Sequence, residues 1–301
     1  MAGLKELRTR ISSIASTQKI TSAMKMVAAA RLKHAQDMLQ KSQAYHHDLT
    51  LVMERLVGAV TAEAKKRKVT YLMPAVMNGH SDPKVYQLVV FSSDKGLCGS
   101  YNAMVLKETL RRISELLAEG KQVKVMSLGK KAGESVAKRY PDLEVKIVDG
   151  FAAKGADYAE TEALVSDLVA QYGQAFDVCE VVSTSFRSAV SREVRSNVFL
   201  PLSIQPNTDD SLNWVGGSEY GYEENKLEMI FDLAPLYLVD VMFQHLINAQ
   251  AGEHGARMAA MDNATRNAHD MISHLTLKYN RLRQSAITTE LIEIISGAEA
   301  L

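Results

Sequence analysis

The sequence predicts an α/β fold in which the N- and C-terminal helices pair as a long antiparallel coiled coil, with a small, mostly parallel, Rossmann-like α/β domain inserted between them. Three observations predict it. All six prolines lie between positions 74 and 235, so both ends are free of helix breakers over long distances. Both ends also carry apolar residues at alternating steps of three and four, the repeat of a helix supercoiled against a partner. The middle alternates short β-branched runs with helical stretches, the pattern of strands joined by crossover helices.

The first arm, 1–58, has its seam at Leu4, Leu7, Ile11, Ile14, Gln18, Thr21, Lys25, Ala28, Leu32, Ala35, Leu39, Ser42, His46, Leu49, Met53 and Leu56, and Gly58 is expected to stop it. The polar exceptions Gln18, Thr21 and Lys25 are consecutive seam positions. Over the same turns Ile20, Met24 and Val27 make a second apolar stripe beside the seam. In an ordinary helix pair that stripe would be wet, so the segment is expected to meet something besides its partner helix. A linker follows over 59–84, opening on the charged run KKRK (65–68).

The α/β domain is expected over 85–205. VYQLVVF (85–91), VKVMSL (123–128), EVKIVDGF (144–151) and VCEVVSTSF (178–186) read as strands, and helices are expected near 102–118, up to 138, and over 158–172. Asn, Asp, Ser and Gly crowd 206–224, so 206–234 reads as an exposed connection. The second arm, 235–301, carries its seam at Met258, Met261, Thr265, Ala268, Ile272, Leu275, Tyr279, Leu282 and Ala286. Each arm would be roughly 80 to 90 Å long at 1.5 Å per residue. Since the middle must join the end of one arm to the start of the other, antiparallel pairing is the economical arrangement. Gly252 and Gly255 fit a place where another backbone comes close.

Composition narrows the function classes. Lys+Arg and Asp+Glu balance at 35 each, which argues against a general nucleic-acid binder. Over 1–58, however, nine Lys/Arg stand against only Glu6, Asp37, Asp48 and Glu54, which suggests an acidic partner or a solvated basic face. Cys98 and Cys179 lack metal-ligand or CxxC spacing and are expected as buried small residues in a reduced compartment. The longest apolar stretch, LAPLYLVDVMF (233–243), is too short for a bilayer span and contains Asp240.

No cofactor, metal or catalytic constellation is expected. SDKGLCGSYN (93–102) lies where nucleotide phosphates often sit, after a first strand and before a helix, but its KGxxG spacing fits neither GxxxxGK[ST] nor GxGxxG. A tight turn that lets strand and helix pack is the expectation there; a nucleotide-binding α/β enzyme with a helical dimerisation arm is the competing reading. His46 and His47 point about 100° apart on a helix and are expected on the surface. His269 and His274 miss the i, i+4 spacing of a metal pair. Met24, Met26, Met258 and Met261 read as coiled-coil filling, or as a surface suited to changing partners. In the tail, Ile287, Leu291, Ile294 and Ile295 share a helical face where an antiparallel partner starting near Leu4 would be used up. That tip needs a socket elsewhere.

Three segments carry a resemblance. MAGLKELRTRISSIASTQKITSAMKMVAAARL at the start, SSDKGLCGSYN in the middle and ARMAAMDNATRNAHDMISHLTLKYNRLRQSAITTELIEIISGA at the end resemble, in order, the gamma subunits of F-type ATP synthases of the bacterial type. The resemblance implies a non-catalytic rotor shaft inside a ring of three alpha and three beta subunits. It couples proton-driven rotation of the c-subunit ring to conformational change at the beta-subunit catalytic sites. It further implies an α/β domain that binds the epsilon subunit, no nucleic acid, no direct bilayer insertion, and a place on the cytoplasmic face of the bacterial inner membrane. By motif, Met24, Lys25 and Arg257 would lie in the zone met by the beta-subunit loops. Gln284, Thr288 and Glu290 would contact the upper ring and carry torque, and Ile294 and Ile295 would sit in its apolar sleeve. Tyr222 and Glu223 would form the foot on the c ring, although Glu224 stands where the family often has proline. AAARL in place of AASKM and Gly252 in place of serine are further departures.

Overall fold

The computed structural model describes residues 2–151, 155–188, 191–205 and 225–299. Two helices dominate it, α1 (Ala2–Arg67) and α5 (Lys226–Glu299), of 66 and 74 residues. At 1.5 Å per residue they are about 100 and 110 Å long, several times the width of the domain between them. Every seam position predicted in the first arm is buried or half-buried, from Leu4 to Leu56. The seam therefore lies on the packed side of α1, as its three-four period predicts.

The arm boundaries move. Gly58 does not end α1, which continues to Arg67, because Val57, Gly58 and Val60 are buried in the core and this packing outweighs the cost of one glycine, about 1 kcal/mol. Pro235 does not begin the second arm but sits inside α5. It removes one helical hydrogen bond, yet Ile230, Ala234 and Leu238 on its two sides are fully buried and hold the helix through it. Residues 226–234, expected as connection, are therefore helix.

Between the arms lies a five-stranded sheet in the order β3-β2-β1-β4-β5, built from β1 (Val85–Phe91), β2 (Gln122–Leu128), β3 (Glu144–Val148), β4 (Val178–Phe186) and β5 (Arg192–Leu200). The first four strands are mutually parallel, and β5 pairs antiparallel with β4. Helices α2 (Tyr101–Ala118), α3 (Lys130–Arg139) and α4 (Tyr158–Gln171) make the crossovers. β5 escaped sequence reading. Its five charged or polar residues, Arg192, Glu193, Arg195, Ser196 and Asn197, outnumber its four apolar ones, as an edge strand allows.

Both faces of the sheet are covered. Leu88, Val90, Val125 and Val182 pack with Val105, Ile113 and Leu116 of α2 and Val136 of α3. The other face, with Val89, Phe91, Met126 and Val181, meets α4, the lower part of α1 (Met53, Leu56, Val60) and α5 (Leu238, Met242, Leu246). The shaft and the domain therefore share one core. On the α2 side Glu180 of β4 is buried, takes a two-pronged bond from Arg112 (2.8 and 2.6 Å) and accepts from Ser196 Oγ at 2.7 Å. These bonds satisfy a carboxylate that burial would otherwise make costly. Gly129, at φ +114°, is needed because a Cβ there would stand 2.2 Å from the Ser92 carbonyl oxygen.

By composition α5 includes a window apolar enough to cross a bilayer, but half of that window is buried inside the protein. The stretch 233–243 contributes Leu238, Met242 and Phe243 to the shared core.

Candidate functional site

The seam of the shaft explains its own polar positions. Lys25 Nζ reaches across to Asp262 Oδ1 at 2.7 Å, and Thr265 Oγ1 donates to Thr21 Oγ1 at 2.8 Å. Two of the three exceptions are thus matched by the opposite arm in register. Arg266 also bonds Asp262, and these cations hold its carboxyl below the usual carboxylate range. The second stripe behaves differently. Ile20 and Val27 are 60% and 56% exposed and Met24 is half-buried, so apolar surface beside a satisfied seam is left open. Met26 is also exposed, so it does not fill the coiled coil, whereas Met261 is buried there.

Lower down, α5 occupies the place where an open α/β sheet holds ligands. The order of the strands reverses between β1 and β4, and a crevice at their carboxyl ends is the usual ligand position. Here Gly252 lies against Thr184 and Tyr101 at the end of β4. A Cβ on it would stand 2.9 Å from Thr184 Cγ2, so close approach to side chains, rather than to backbone, requires this glycine. Gly99 of the 93–102 turn lies against Ala256 and Ala260, and Asn248 Oδ1 accepts from the Phe186 amide at 3.2 Å. The turn is closed internally. Asn102 Oδ1 accepts from the Ser93 amide (3.1 Å), and its Nδ2 donates to Ser93 Oγ (2.7 Å) and to buried Cys98 Sγ (3.2 Å).

Arg257 fastens this turn to the shaft. It pairs with Glu253 at 2.6 Å and donates to the carbonyls of Lys95 (3.3 Å) and Gly96 (3.4 Å). The turn thus presents carbonyl oxygens to a cation here, the reverse of a loop that cradles phosphate with its amides. Arg257 is only 13% exposed. Burial pushes the Glu253 carboxyl up, with Arg257 and Arg31 opposing that shift. The neighbouring His254 is pushed down to about 4 by burial, then by Arg257 and Arg31.

At the far end α5 outruns its partner. The Thr21–Thr265 contact sets the register, and counting outward places Leu4 opposite the turn around Leu282. Beyond it Ile287, Leu291, Ile292, Ile294 and Ile295 are 50 to 71% exposed. Gln284 and Thr288 are exposed on the same segment, Thr288 Oγ1 donating to the Gln284 carbonyl at 2.9 Å, and Glu290 follows on the helix. Tyr222 and Glu223 lie outside the described residues.

His47 is exposed, but His46 is not the free surface residue expected: it is half-buried and bonded to Asp240. Its partner is 194 positions away, beyond the reach of a local pattern. Cys98 and Cys179 are buried and free. Among the described residues no group of three or more His, Cys, Asp or Glu is placed to hold a metal.

A family model described as ATP synthase matches residues 3–301. The chain is 41% identical over 305 residues to the ATP synthase gamma chain of Maricaulis maris and 40% identical over 302 residues to that of Paramagnetospirillum magneticum, covering all of each chain in both cases. A chain of the central stalk and c-ring of the Tetrahymena thermophila mitochondrial ATP synthase superposes with a TM-score of 0.55 at 25% identity, covering 81% of this chain and 99% of that one. A chain of the Euglena gracilis mitochondrial ATP synthase gives 0.63 over 99% and 94%; at 18% identity it speaks for the fold alone. By its length-spanning match to the family model and to these relatives, the chain belongs to the ATP synthase gamma-chain family.

Proposed function

We propose that this gamma chain, a non-catalytic subunit, works as the central shaft of a bacterial F-type ATP synthase by pressing its exposed stripe and tip against a surrounding ring of three alpha and three beta subunits. The observation that carries the reading is the tip: α5 runs past the end of α1 with five large aliphatic residues uncovered. A single-chain protein gains nothing from such a helix end, whereas a shaft seated in an apolar sleeve buries it. Ile294 and Ile295 would fill that sleeve, and Gln284, Thr288 and Glu290 would bear on the ring beside it.

The stripe of Ile20, Met24 and Val27 would meet the beta-subunit loops at a lower level. Lys25 and Arg257 take part differently from free contact residues. Lys25 bridges the two shaft helices and Arg257 bolts the shaft to the domain, so both would support the loops' contact surface from behind. The shared core between shaft and sheet would let the domain turn with the shaft. The domain would bind the epsilon subunit, and the foot with Tyr222 and Glu223 would rest on the c ring, at the cytoplasmic face of the inner membrane.

Met24→Lys tests the placement. A cation on the open stripe, beside an intact Lys25–Asp262 pair, should leave the complex assembled but lower the protons pumped per ATP hydrolysed on the same membranes. Unchanged coupling at low salt would contradict it. The competing enzyme reading is tested by equilibrium dialysis of the isolated chain against ATP; micromolar binding would favour that reading over the shaft.

A further inference from the structure

Asp240 interrupts the most apolar stretch of the chain, yet its side chain is only 2% exposed. Its partner is His46 of α1, whose Nδ1 lies 2.5 Å from Asp240 Oδ2. A carboxylate taken so far out of water is stable only when paired, and here the pairing group comes from the other shaft helix. Tyr237, one turn before Asp240, stacks on the His46 ring with centroids 6.4 Å apart and planes 13° off parallel. The imidazole is thus gripped on one face and at one nitrogen by α5.

The remaining ring surface reaches solvent. His46 keeps 35% of its side chain exposed and lines a cavity of about 240 Å3 with Gln244, His245, Asn248, Arg195 and Asn197. Titratable and charged groups face the pair from each packed element: Tyr45 on α1, Tyr158 with Glu162 behind it on α4, Tyr237 and His245 on α5, and Arg195 on β5. From β4 the cavity is lined by Ser183, Thr184 and Ser185, which are uncharged. Burial pushes Tyr158 up and His245 down to about 4, so both are neutral near pH 7, and Ser183 Oγ lies 2.7 Å from His245 Nδ1. Among these, His46 is the one group with both a buried counter-charge in contact and a route to water.

We propose that His46 and Asp240 form a proton-dependent clasp tying α1 to α5 beside the α/β domain, closed as an imidazolium–carboxylate pair and loosened when His46 loses its proton. The proton that leaves is the one on Nε2, which passes to water through the cavity. Nδ1–H stays in place and goes on donating to Asp240, now from a neutral ring. The buried carboxylate then keeps a hydrogen bond but loses its counter-charge. Acid tightens the joint between the two shaft helices, and alkali slackens it.

A double-mutant cycle on the full chain, with His46→Gln, Asp240→Asn and both together, measures the pair at two pH values. The unfolding equilibrium constant should show a coupling of about tenfold at pH 6 that falls to about threefold or less at pH 8.5. Equal coupling at both pH values, or none at pH 6, would overturn the clasp. Should a variant fail to fold, the wild-type chain decides. Ring signals of His46 and Tyr237, followed by NMR between pH 8.5 and pH 6, should shift together, and a Tyr237 ring that stays unmoved while the His46 ring shifts overturns it.

Discussion

Thr21 and Thr265 face each other across the shaft with their hydroxyl oxygens 2.8 Å apart, and each hydroxyl also has an acceptor in its own helix, the Gln18 carbonyl for Thr21 and the Met261 carbonyl for Thr265. Polar residues at these seam positions therefore leave no hydroxyl stranded when the helices separate or slide. Thr21→Ala should cost no more than about 1 kcal/mol, while Leu32→Ala, in a tightly buried stretch of the same seam, should cost about 2 to 5 kcal/mol. Chemical denaturation of the two variants checks the contrast, and equal losses would mean that the polar turns are not the soft part of the shaft.

Gly252 makes a prediction about the joint. Its missing Cβ would meet the Thr184 side chain at 2.9 and 3.3 Å and Tyr101 at 3.4 Å, in fully buried surroundings. Gly252→Ala should destabilise by about 1 to 3 kcal/mol through overpacking, despite alanine's better helix propensity. Thr184→Ser, which removes the clashing methyl, should restore most of the loss. A stabilised Gly252→Ala variant in thermal unfolding would show that the shaft does not press on the domain there.

Acid should weaken the fold through two half-buried histidines. Burial pushes His245 and His254 down to about 4 from an ordinary value near 6.5, so folding keeps them neutral while the unfolded chain protonates them. The stability each contributes is fully present above about pH 6.5 and is lost as pH falls through about 4, an upper bound of about 3 kcal/mol apiece. Glu253, pushed up by burial, acts in the opposite sense: its contribution is present in acid and is lost as pH rises. The stability advantage of wild type over His245→Asn should therefore shrink between pH 7 and pH 4.5; a pH-independent difference would contradict the assignment.

Removing 292–301 should separate assembly from turnover. The deletion takes away Ile292, Ile294 and Ile295, each worth about 1.5 to 3 kcal/mol if fully buried in a sleeve, while Gln284, Thr288 and Glu290 remain. Complex yield and thermal stability should fall more than the ATPase rate of complexes that do assemble. Normal yield would show that the tip has no socket.

How much of this was legible in the sequence depended on the range of the signal. The seam from Leu4 to Leu56 repeats often enough to survive three polar exceptions, and four strands announce themselves by β-branched runs. Gly58 and Pro235 misled because breaker rules are local, whereas Val57, Val60 and Ile230 hold those turns helical through tertiary packing. β5 was missed because an edge strand need not be apolar. The resemblance pointed to Lys25 and Arg257 as contact residues, but the groups they reach across the fold, Asp262 and the Lys95 and Gly96 carbonyls, lie more than 150 positions away in the chain. His46 and Asp240 were each noticed alone, and nothing in a linear pattern joins them.

A shaft that turns within a ring of catalytic subunits, as proposed, must carry the α/β domain round with it as one body. Cys98 and Cys179 are buried, and burial pushes the Cys179 thiol up, so both should resist labelling, while Lys107 on α2 is exposed. A gold rod attached at Lys107→Cys, on chains assembled with alpha and beta subunits and fixed by the ring, reports the motion of the domain directly. With ATP supplied, the rod should rotate continuously in one direction, because α2 packs on the sheet whose other face shares a core with the shaft. Complexes that hydrolyse ATP at the normal rate while the rod only fluctuates about a fixed angle would contradict rotation of the domain with the shaft.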